Sequence, residues 1–239
     1  YLGKDKDFGY WRDTHLWAKG EAVRTLQQIF LQDWYYMTNE KLPANPYLTF
    51  ERVNKPGLGG VQMVGGGPDH QWEIIKQLFF SMIASAKKSI WIASPYFIPD
   101  EDILSALKVA CLSGLDVRLL VPSKPDKRLV FYASRSYFPE LMEAGMRIFT
   151  YKRGFMHSKV IIVDHELASI GSSNMDMRSF HLNFEVNCFL YKSDSVQKLV
   201  EDYEQDLNFS EEVLLESFKN RSLPKRIVES FSRLASPLL

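Results

Sequence analysis

Cysteine is scarce in this chain, and long apolar runs are missing. Cys111 and Cys188 are the two cysteines among 239 residues, and their spacing fits no metal-ligand pattern. We therefore expect two reduced, buried thiols and no metal site. Because no stretch of about 18 consecutive apolar residues occurs, the sequence predicts neither a transmembrane helix nor a signal peptide within these residues.

An excess of one charge is missing as well. Lys and Arg total 29, and Asp and Glu also total 29, so the formal net charge is zero. Such a chain has no overall field that would attract nucleic acid, and any polyanion must be bound locally. With 46% apolar residues the chain can bury the core of one large α/β domain, or of one domain with part of another.

Strand-like and helix-like segments alternate from residue 61 onward, which is typical of strands covered by helices. The run from Val160 to Val163 is apolar at every position, as expected for a central strand. We predict an α/β/α sandwich with a mixed, largely parallel sheet. The expected strands are 61–64, 89–94, 115–122, 146–151, 158–164, 167–171 and 184–191, and the expected helices are 72–87, 100–112 and a helical region ending near 143.

The first 56 residues differ from this pattern. They predict a short strand at 13–18, a helix at about 21–36 and then a linker rich in turn residues. We interpret residues 1–56 as the tail of a preceding domain with its linker. Residues 57–239 then form a second domain.

After residue 193 the sequence predicts polar helices, with Ser193 or Asp194 and Ser210 as N-caps. An apolar stripe near the C-terminus is flanked by basic residues. We expect this stripe to pack against its own domain, with a membrane surface as the alternative. The stripe consists of Ile227, Val228, Phe231, Leu234 and Ala235, and the basic residues are Lys225, Arg226 and Arg233.

The stretch GFMHSKVIIVD, residues 154–164, places three ionisable groups in an otherwise apolar strand. Side chains two residues apart in a strand share a face, so His157 and Lys159 are expected to project together. Burial of an ammonium beside a neutral imidazole is unfavourable without a counterion, so the pair predicts a bound anion. Asp164 has the opposite parity, and we expect it to stabilise the loop or a nearby cation.

The stretch GSSN, residues 171–174, follows shortly afterwards. Its amides and hydroxyls predict a pocket for phosphate oxygens, with Asn174 as the stronger side-chain ligand and Ser172 as the weaker one. Glu185 lies on the next predicted strand. A carboxylate there can accept the Nδ1 proton of a histidine and leave Nε2 free as a nucleophile.

The pattern H-x-K-(x4)-D-(x6)-G-S-x-N resembles the HKD signature of the phospholipase D superfamily. Its six fixed positions are expected by chance in roughly one chain in a million or fewer. The segments SPYFIPDEDILSALKVACLSGLDVRLLVPSKPD, SNMDMRSFHLNFEVN and RLASPLL are similar to the second half of bacterial cardiolipin synthases.

The resemblance implies a phospholipase D-like fold for both domains, with His157, Lys159 and Asp164 as catalytic residues and Ser172 and Asn174 on the substrate phosphate. It implies a phosphatidyltransferase that joins two phosphatidylglycerols into cardiolipin and releases glycerol through a phosphohistidine, without metal or cofactor. The expected partners are phospholipid and a membrane surface, not nucleic acid. The expected location is the bacterial inner membrane, with an anchor upstream of these residues.

One histidine cannot be both nucleophile and acid in a single step, so a second motif is needed. YWRDTHLWA, residues 10–18, echoes NFEVNCFLY, residues 183–191, and matches Asp13 to Glu185 as histidine-orienting carboxylates. Glu185 follows His157 by 28 residues, and the same step back from Asp13 falls before Tyr1. We therefore expect the histidine that Asp13 orients to precede Tyr1.

A chain with one motif is expected to be inactive alone, or to pair with a second copy that completes the site. We favour a fragment that lacks its N-terminal half. Two alternatives stay open at this point. The chain can belong to another phospholipase D-type phosphodiesterase, a lipase or nuclease that acts as a dimer, or it can be a non-catalytic lipid-binding half-domain.

Overall fold

The structure, a computed structural model, describes residues 9–49 and 57–239. Residues 1–8 and 50–56, which fall in the predicted tail and linker, lie outside the described residues. The strands are β1 (Tyr10–Arg12), β2 (Gly60–Gly66), β3 (Ser89–Ala93), β4 (Phe97–Ile98), β5 (Asp116–Pro122), β6 (Arg147–Tyr151), β7 (Gly154–Met156), β8 (Val160–Val163), β9 (Leu167–Gly171), β10 (Met175–Asp176), β11 (Glu185–Tyr191) and β12 (Ser210–Glu212).

Helices follow β2, β4 and β5, whereas β6 to β10 follow one another without a helix between them, which agrees with the order of strands and helices predicted from residue 61 onward. The helices are α1 (Glu21–Thr38), α2 (Ala44–Tyr47), α3 (Ile74–Ser85), α4 (Glu101–Leu112), α5 (Arg128–Ser136), α6 (Phe138–Ala144), α7 (Met177–His181), α8 (Asp194–Leu207), α9 (Leu215–Lys219) and α10 (Leu223–Arg233), followed by a 3-10 turn, η1 (Ser236–Leu238). Within residues 9–49 and 57–239, no helix combines the length and the apolar character needed to cross a bilayer.

One sheet of eight strands forms the centre, in the order β12-β6-β5-β3-β8-β9-β11-β2. The pairs β3·β5 and β5·β6 are parallel, and the other neighbouring pairs in this sheet are antiparallel. The mixed sheet is confirmed, but the prediction of a largely parallel one is wrong. The reason is the short link of residues 164–166 between β8 and β9, since a short turn can join only antiparallel neighbours.

Both faces of the sheet are covered, so the sandwich is confirmed. Strand β3 shows this directly, because Ile90 and Ile92 belong to one buried apolar cluster while Trp91 and Ala93 belong to another. The first cluster contains side chains of α3, α4 and α6, and the second contains side chains of α8 with α1 packed against it. The sheet therefore separates two cores and carries the functional loops at its edge.

Several boundaries differ from the predictions. The N-terminal strand is β1, not residues 13–18, and α2 lies within the predicted linker. Ser210 does not cap a helix, because it begins β12 and pairs with Tyr151 of β6. Ser193 does precede α8, but its hydroxyl forms no hydrogen bond with any described group.

The C-terminal helix α10 overturns the expectation that its apolar stripe packs inward. Phe231 is 70% exposed and Leu234 is 77% exposed, whereas Glu229 is only 2% exposed. The polar face is turned inward because two arginines, Arg135 and Arg221, hold the Glu229 carboxylate. The stripe faces away from the domain.

Strand β1 returns the N-terminal segment to the second half of the chain. It runs parallel to β7, with Tyr10 opposite Gly154 and Arg12 opposite Met156. A Cβ on Gly154 would lie 1.8 Å from the Tyr10 carbonyl oxygen, so this approach requires glycine. The Arg12 Nε atom donates to Oδ1 of Asp206 on α8 at 2.8 Å and fixes the strand. This pairing places Asp13, the residue after β1, next to the segment that precedes β8.

Candidate active site

His157 and Lys159 lie together, as predicted, in the extended segment between β7 and β8. The Lys159 Nζ atom is 3.1 Å from His157 Nε2 and donates to the His157 carbonyl oxygen at 2.8 Å. The His157 backbone N–H in turn donates to the Arg12 carbonyl oxygen at 2.7 Å. The main chain around the imidazole is therefore held by β1 and by the lysine.

Asp13, not Glu185, orients this histidine. The Asp13 Oδ2 atom lies 2.9 Å from His157 Nδ1, and its other oxygen accepts the Thr14 N–H at 2.9 Å. The expectation that the histidine of Asp13 precedes Tyr1 is thus wrong for these residues. The sequence echo paired Asp13 with Glu185, and of these two carboxylates it is Asp13 that lies beside His157.

Electrostatics around Asp13 favour its ionised form. Burial opposes ionisation of the carboxyl, but the hydrogen bonds with His157 and Thr14 outweigh burial and lower the pKa of Asp13. An ionised Asp13 accepts a hydrogen bond, so His157 carries its proton on Nδ1. Nε2 then holds a lone pair, which accepts a hydrogen bond from the Lys159 ammonium. Both neighbours select the same tautomer.

The ammonium of Lys159 loses its proton at a lower pH than an ordinary lysine does. Burial lowers the pKa of Lys159 to about 8, and the carboxylates Asp13, Glu185 and Asp176 act against this by raising it. A partly desolvated ammonium without a tight carboxylate bond attracts an anion strongly. The sequence prediction of an anion at this pair therefore agrees with the charge distribution.

Glu185 lies buried, 7% exposed, at the start of β11. Its Oε1 atom accepts from Asn183 Nδ2 at 3.0 Å. It raises the pKa of Lys159, but its side chain accepts a hydrogen bond from Asn183 and not from His157. The predicted role of Glu185 as a histidine-orienting carboxylate stays a prediction, and it now concerns a histidine other than His157.

The loop after β9 brings Ser172 to the site. A Cβ on Gly171 would lie 2.4 Å from the Val186 carbonyl oxygen, so glycine allows the loop to pass β11 closely. The Ser172 hydroxyl accepts the Val186 N–H at 2.9 Å, and the residue is exposed. Ser172 lines the same cleft as His157 and Lys159.

Asn174 occupies a more interior position than predicted. Its Nδ2 atom donates to the Ser179 hydroxyl at 3.2 Å, and its side-chain oxygen is buried with no hydrogen-bond partner among the described groups. Asp176 caps α7 by accepting the Ser179 N–H at 2.7 Å. Burial raises the pKa of Asp176. The phosphate-binding role of Asn174 stays a prediction.

Asp164 lies at the opposite end of β8 from His157, and its side chain binds the main chain. One oxygen accepts the N–H groups of Lys88 and Ser89 at 2.7 and 2.9 Å, and the other accepts that of Lys87 at 2.8 Å. Burial of the carboxyl opposes ionisation, but these three amides outweigh it and lower the pKa of Asp164. The geometry matches the loop-stabilising role expected from parity. It gives no contact with His157 or Lys159 that would make Asp164 a catalytic residue.

A cleft of about 670 Å³ opens onto the His157 side chain. Its polar lining residues are Asp13, Thr14, His15, His157, Lys159 and Ser172, and the others are Leu16, Trp17, Ala18, Val23, Leu26, Met63, Ile170, Gly171, Val186 and Cys188. Anionic and apolar groups of one ligand therefore fit side by side. Among the described residues, no group of His, Cys, Asp and Glu side chains is placed to hold a metal ion.

Sequence reasoning missed the contribution of residues 14–26 to this cleft. Thr14 lies 2.9 Å from the Ser158 hydroxyl, hydroxyl oxygen to hydroxyl oxygen, and the Trp11 ring lies 5.1 Å from the His157 ring. The echo between residues 10–18 and 183–191 was the available signal. It indicated equivalent carboxylates, but it could not show which histidine each one contacts.

The chain is similar to known proteins over its whole length. Residues 79–207 match the family model described as "Cardiolipin synthase, PLD-like domain". The chain is 66% identical over 239 residues to a cardiolipin synthase of Geobacillus sp. (strain WCH70), covering 100% of this chain and 48% of that protein. It is 67% identical to cardiolipin synthase 2 of Bacillus anthracis, covering 100% of this chain and 46% of that protein.

Two solved structures share the fold. Nuc from Salmonella typhimurium, a phospholipase D family member, aligns with a TM-score of 0.55 at 23% identity, covering 64% of this chain and 99% of Nuc. Phosphatidylserine synthase of Haemophilus influenzae Rd KW20 aligns with a TM-score of 0.63 at 15% identity, covering 82% of this chain and 54% of that protein. The chain spans about half the length of the curated relatives it matches. By its match over residues 79–207, the chain belongs to the cardiolipin synthase, PLD-like domain family.

Proposed function

We propose that this chain is the second half of a phosphatidyltransferase that makes cardiolipin from two phosphatidylglycerol molecules. The observation that carries the proposal is the Asp13, His157 and Lys159 arrangement at the mouth of a partly apolar cleft. It supplies an imidazole whose Nε2 carries a lone pair, an adjacent ammonium and room for lipid. The names of the curated relatives point to the same reaction.

In the first step, His157 Nε2 attacks the phosphorus of a phosphatidylglycerol. A phosphorus–nitrogen bond forms, and the bond from phosphorus to the glycerol headgroup oxygen breaks. The leaving oxygen takes a proton from a second histidine, and glycerol departs. Lys159 releases its contact with Nε2 and binds a non-bridging phosphate oxygen, where negative charge increases.

In the second step, the second histidine removes the proton from a headgroup hydroxyl of another phosphatidylglycerol. That oxygen attacks phosphorus, the phosphorus–nitrogen bond breaks, and cardiolipin leaves with His157 restored. Asp13 stabilises the positive charge that His157 carries in the phosphohistidine. No metal or cofactor is needed for either step.

The second histidine belongs to the part of the protein that precedes this chain, or to a second copy. Asp13 and Glu185 are equivalent by the sequence echo, and Asp13 contacts the histidine of the other unit. By the same rule, Glu185 receives the histidine of the first unit. Glu185 already lies close enough to Lys159 to raise its pKa, which fits a position at the shared site. The boundary near residue 56 separates the two units in this proposal.

The reaction places the protein at a membrane surface, because both substrates and the product are lipids. To test the proposal, a polypeptide that contains both halves is incubated with phosphatidylglycerol vesicles. Cardiolipin is then measured by mass spectrometry. The His157→Ala variant is expected to lose cardiolipin formation, and an acid-labile peptide that carries a phosphatidyl group on His157 is expected from the active enzyme. The control is His165→Asn, since His165 lies beyond the far end of β8 and asparagine tolerates its left-handed backbone.

Three other outcomes are informative. Cardiolipin formation that survives the His157→Ala substitution contradicts the catalytic assignment. Release of phosphatidic acid alone indicates a lipase. Lipid binding without any product identifies a non-catalytic domain.

A further inference from the structure

Helix α10 buries polar side chains and exposes apolar ones. Its polar residues Glu229 and Ser232 are 2% and 4% exposed, whereas Ile227 and Phe231 on the opposite side are 48% and 70% exposed. Residues at 227, 231 and 234 fall on one side of a helix with a period of 3.6, and 229, 232 and 236 fall on the other. A helix at the surface of a water-soluble protein places these faces the other way round.

The inward face is fixed by buried charge. Glu229 accepts from Arg135 Nε at 3.2 Å and from Arg221 Nε at 2.6 Å. The Tyr137 hydroxyl donates to the Ser236 hydroxyl at 3.0 Å, which anchors the turn after α10. Charged pairs lose solvation when they are buried, and a hydrophobic replacement is often no less stable. The hydrogen bonds of Glu229 and Ser236 fix the orientation of α10, since turning the helix would leave the Glu229 carboxylate and both arginines without these partners.

The outward face combines apolar and basic groups. Leu223, Phe231, Leu234 and Leu238 are 65%, 70%, 77% and 72% exposed. Lys225 and Arg226 in the first turn of α10 are exposed and form no ion pair with any residue that the structure describes. Arg226 borders the apolar side, whereas Lys225, four residues before Glu229, lies on the opposite side of the helix. Leucine and phenylalanine beside lysine and arginine are the composition of helices that lie in the interface of an anionic bilayer.

The position of α10 relates this face to the cleft. The helix packs along α5, whose N-terminal loop contains Asp126, and Asp126 contributes to the field at Lys159. The turn η1 packs on α7, and the Leu239 carbonyl oxygen accepts the Arg178 N–H at 2.9 Å. Helix α7 follows Asn174 within three residues. The apolar face is therefore attached on two sides to elements that form the catalytic edge.

From this geometry we propose that α10 and η1 form an interfacial membrane-binding surface, which we term the α10 face, that takes the anionic bilayer containing the substrate. The α10 face consists of Leu223, Ile227, Phe231, Leu234 and Leu238; Arg226 borders it, and Lys225 is exposed in the same first turn of the helix. The inference deepens the proposed function, because it names the surface through which that enzyme meets its lipid. We assign lipid as the partner because Lys225 and Arg226 complement anionic headgroups while the apolar residues contact the adjacent acyl layer.

The test measures vesicle binding and does not depend on turnover. The chain carrying His157→Ala is mixed with vesicles of phosphatidylglycerol and phosphatidylcholine, and co-sedimentation gives the partition coefficient. Phe231→Ser with Leu234→Ser is expected to lower it at least tenfold. Replacement of Lys225 and Arg226 by glutamine is expected to lower it about fivefold for each residue at low salt, with little change on pure phosphatidylcholine. The matched control is Val109→Ser with Leu112→Ser on α4, where the side chains are 63% and 75% exposed.

A second measurement distinguishes the possible occupants. A polarity-sensitive fluorophore on Phe231→Cys is expected to shift to shorter wavelength only when anionic vesicles are added, and to be quenched by lipid-borne nitroxide. Cys111 and Cys188 are 7% and 3% exposed, so labelling is selective. The same label is then placed in a polypeptide with both halves.

The proposal is overturned if that label is already shielded without lipid, because the first half then covers the α10 face. A concentration-dependent shift without lipid indicates a second copy and also overturns it. Equal loss of binding in the α4 control removes the assignment to α10. Failure of cardiolipin synthesis with vesicle binding intact contradicts the proposed function alone, so the two hypotheses are separable.

Discussion

Replacement of Asp13 by asparagine tests which carboxylate orients His157. The Oδ2 atom of Asp13 is 2.9 Å from Nδ1, and the two side chains are 31% and 20% exposed. An amide of the same shape can donate to Nδ1, which moves the proton to Nε2 and removes the lone pair. The hydrogen bond to the charged group contributes about 1.5–3 kcal/mol, so the tautomer ratio is expected to change by about 10- to 100-fold.

The catalytic effect follows from the same exposure. The corresponding change in a buried Ser-His-Asp triad lowers kcat about 10⁴-fold. Because Asp13 is partly open to solvent, which weakens the charged hydrogen bond, we expect a smaller loss of about 10²- to 10³-fold in cardiolipin formation. KM for phosphatidylglycerol should change little, since Asp13 does not bind the substrate in the proposed mechanism.

Nitrogen-15 NMR of the imidazole checks the tautomer directly in the 239-residue chain. Nδ1 of His157 should carry the proton in the native chain, and Nε2 should carry it in Asp13→Asn. Glu185→Gln is the matched control, because it should leave the His157 spectrum unchanged. If Glu185→Gln shifts the tautomer and Asp13→Asn does not, the geometry assigned here is refuted.

Three further outcomes are expected. The pKa of Lys159 is lowered to about 8, and the ammonium is the form that binds phosphate, so kcat/KM should fall about tenfold per pH unit above about 8. Lys159→Arg should remove this fall even if activity is lower. A native rate that does not depend on pH up to pH 10 would contradict the prediction. Asp164→Asn should lower the free energy of unfolding by about 1 kcal/mol at pH 7, a value reduced for solvent screening, without changing the activity of the folded enzyme. The difference should shrink as the pH falls below the unfolded pKa of aspartate and vanish only below the lowered pKa of the folded state, and an unchanged urea midpoint at pH 7 would contradict it. Gly171→Ala should lower stability by about 1–3 kcal/mol and displace Ser172, because the new Cβ lies 2.4 Å from the Val186 carbonyl oxygen. Gly57→Ala is the control, since Gly57 also lacks a positive φ but has open space around its Cβ, and equal effects would remove the steric argument.

Local patterns in the sequence predicted the parts of the fold that depend on local physics. Strand β8 was predicted from four apolar residues in a row, and the His157–Lys159 contact was predicted from a two-residue period. These features depend on which face a side chain takes, and periodicity gives that information.

Features set by distant contacts were not predictable in the same way. Asp13 reaches His157 across 144 residues because β1 adds beside β7, and no pattern within either segment indicates that pairing. The α10 orientation depends on Arg135 and Arg221, which lie outside the helix. Ser210 was expected to cap a helix, but the open edge of β6 provides hydrogen bonds that a strand can use.

The parallel pair of β1 and β7 also bears on the order of folding. Two three-residue strands bury little by themselves, and joining them closes a loop of 144 residues, so the association is entropically costly until the eight-stranded sheet exists. The catalytic dyad should accordingly appear late in refolding, after the core fluorescence of Trp91 has reached its native value. A synthetic peptide covering residues 9–19 should restore the orienting carboxylate to a chain that begins at residue 20.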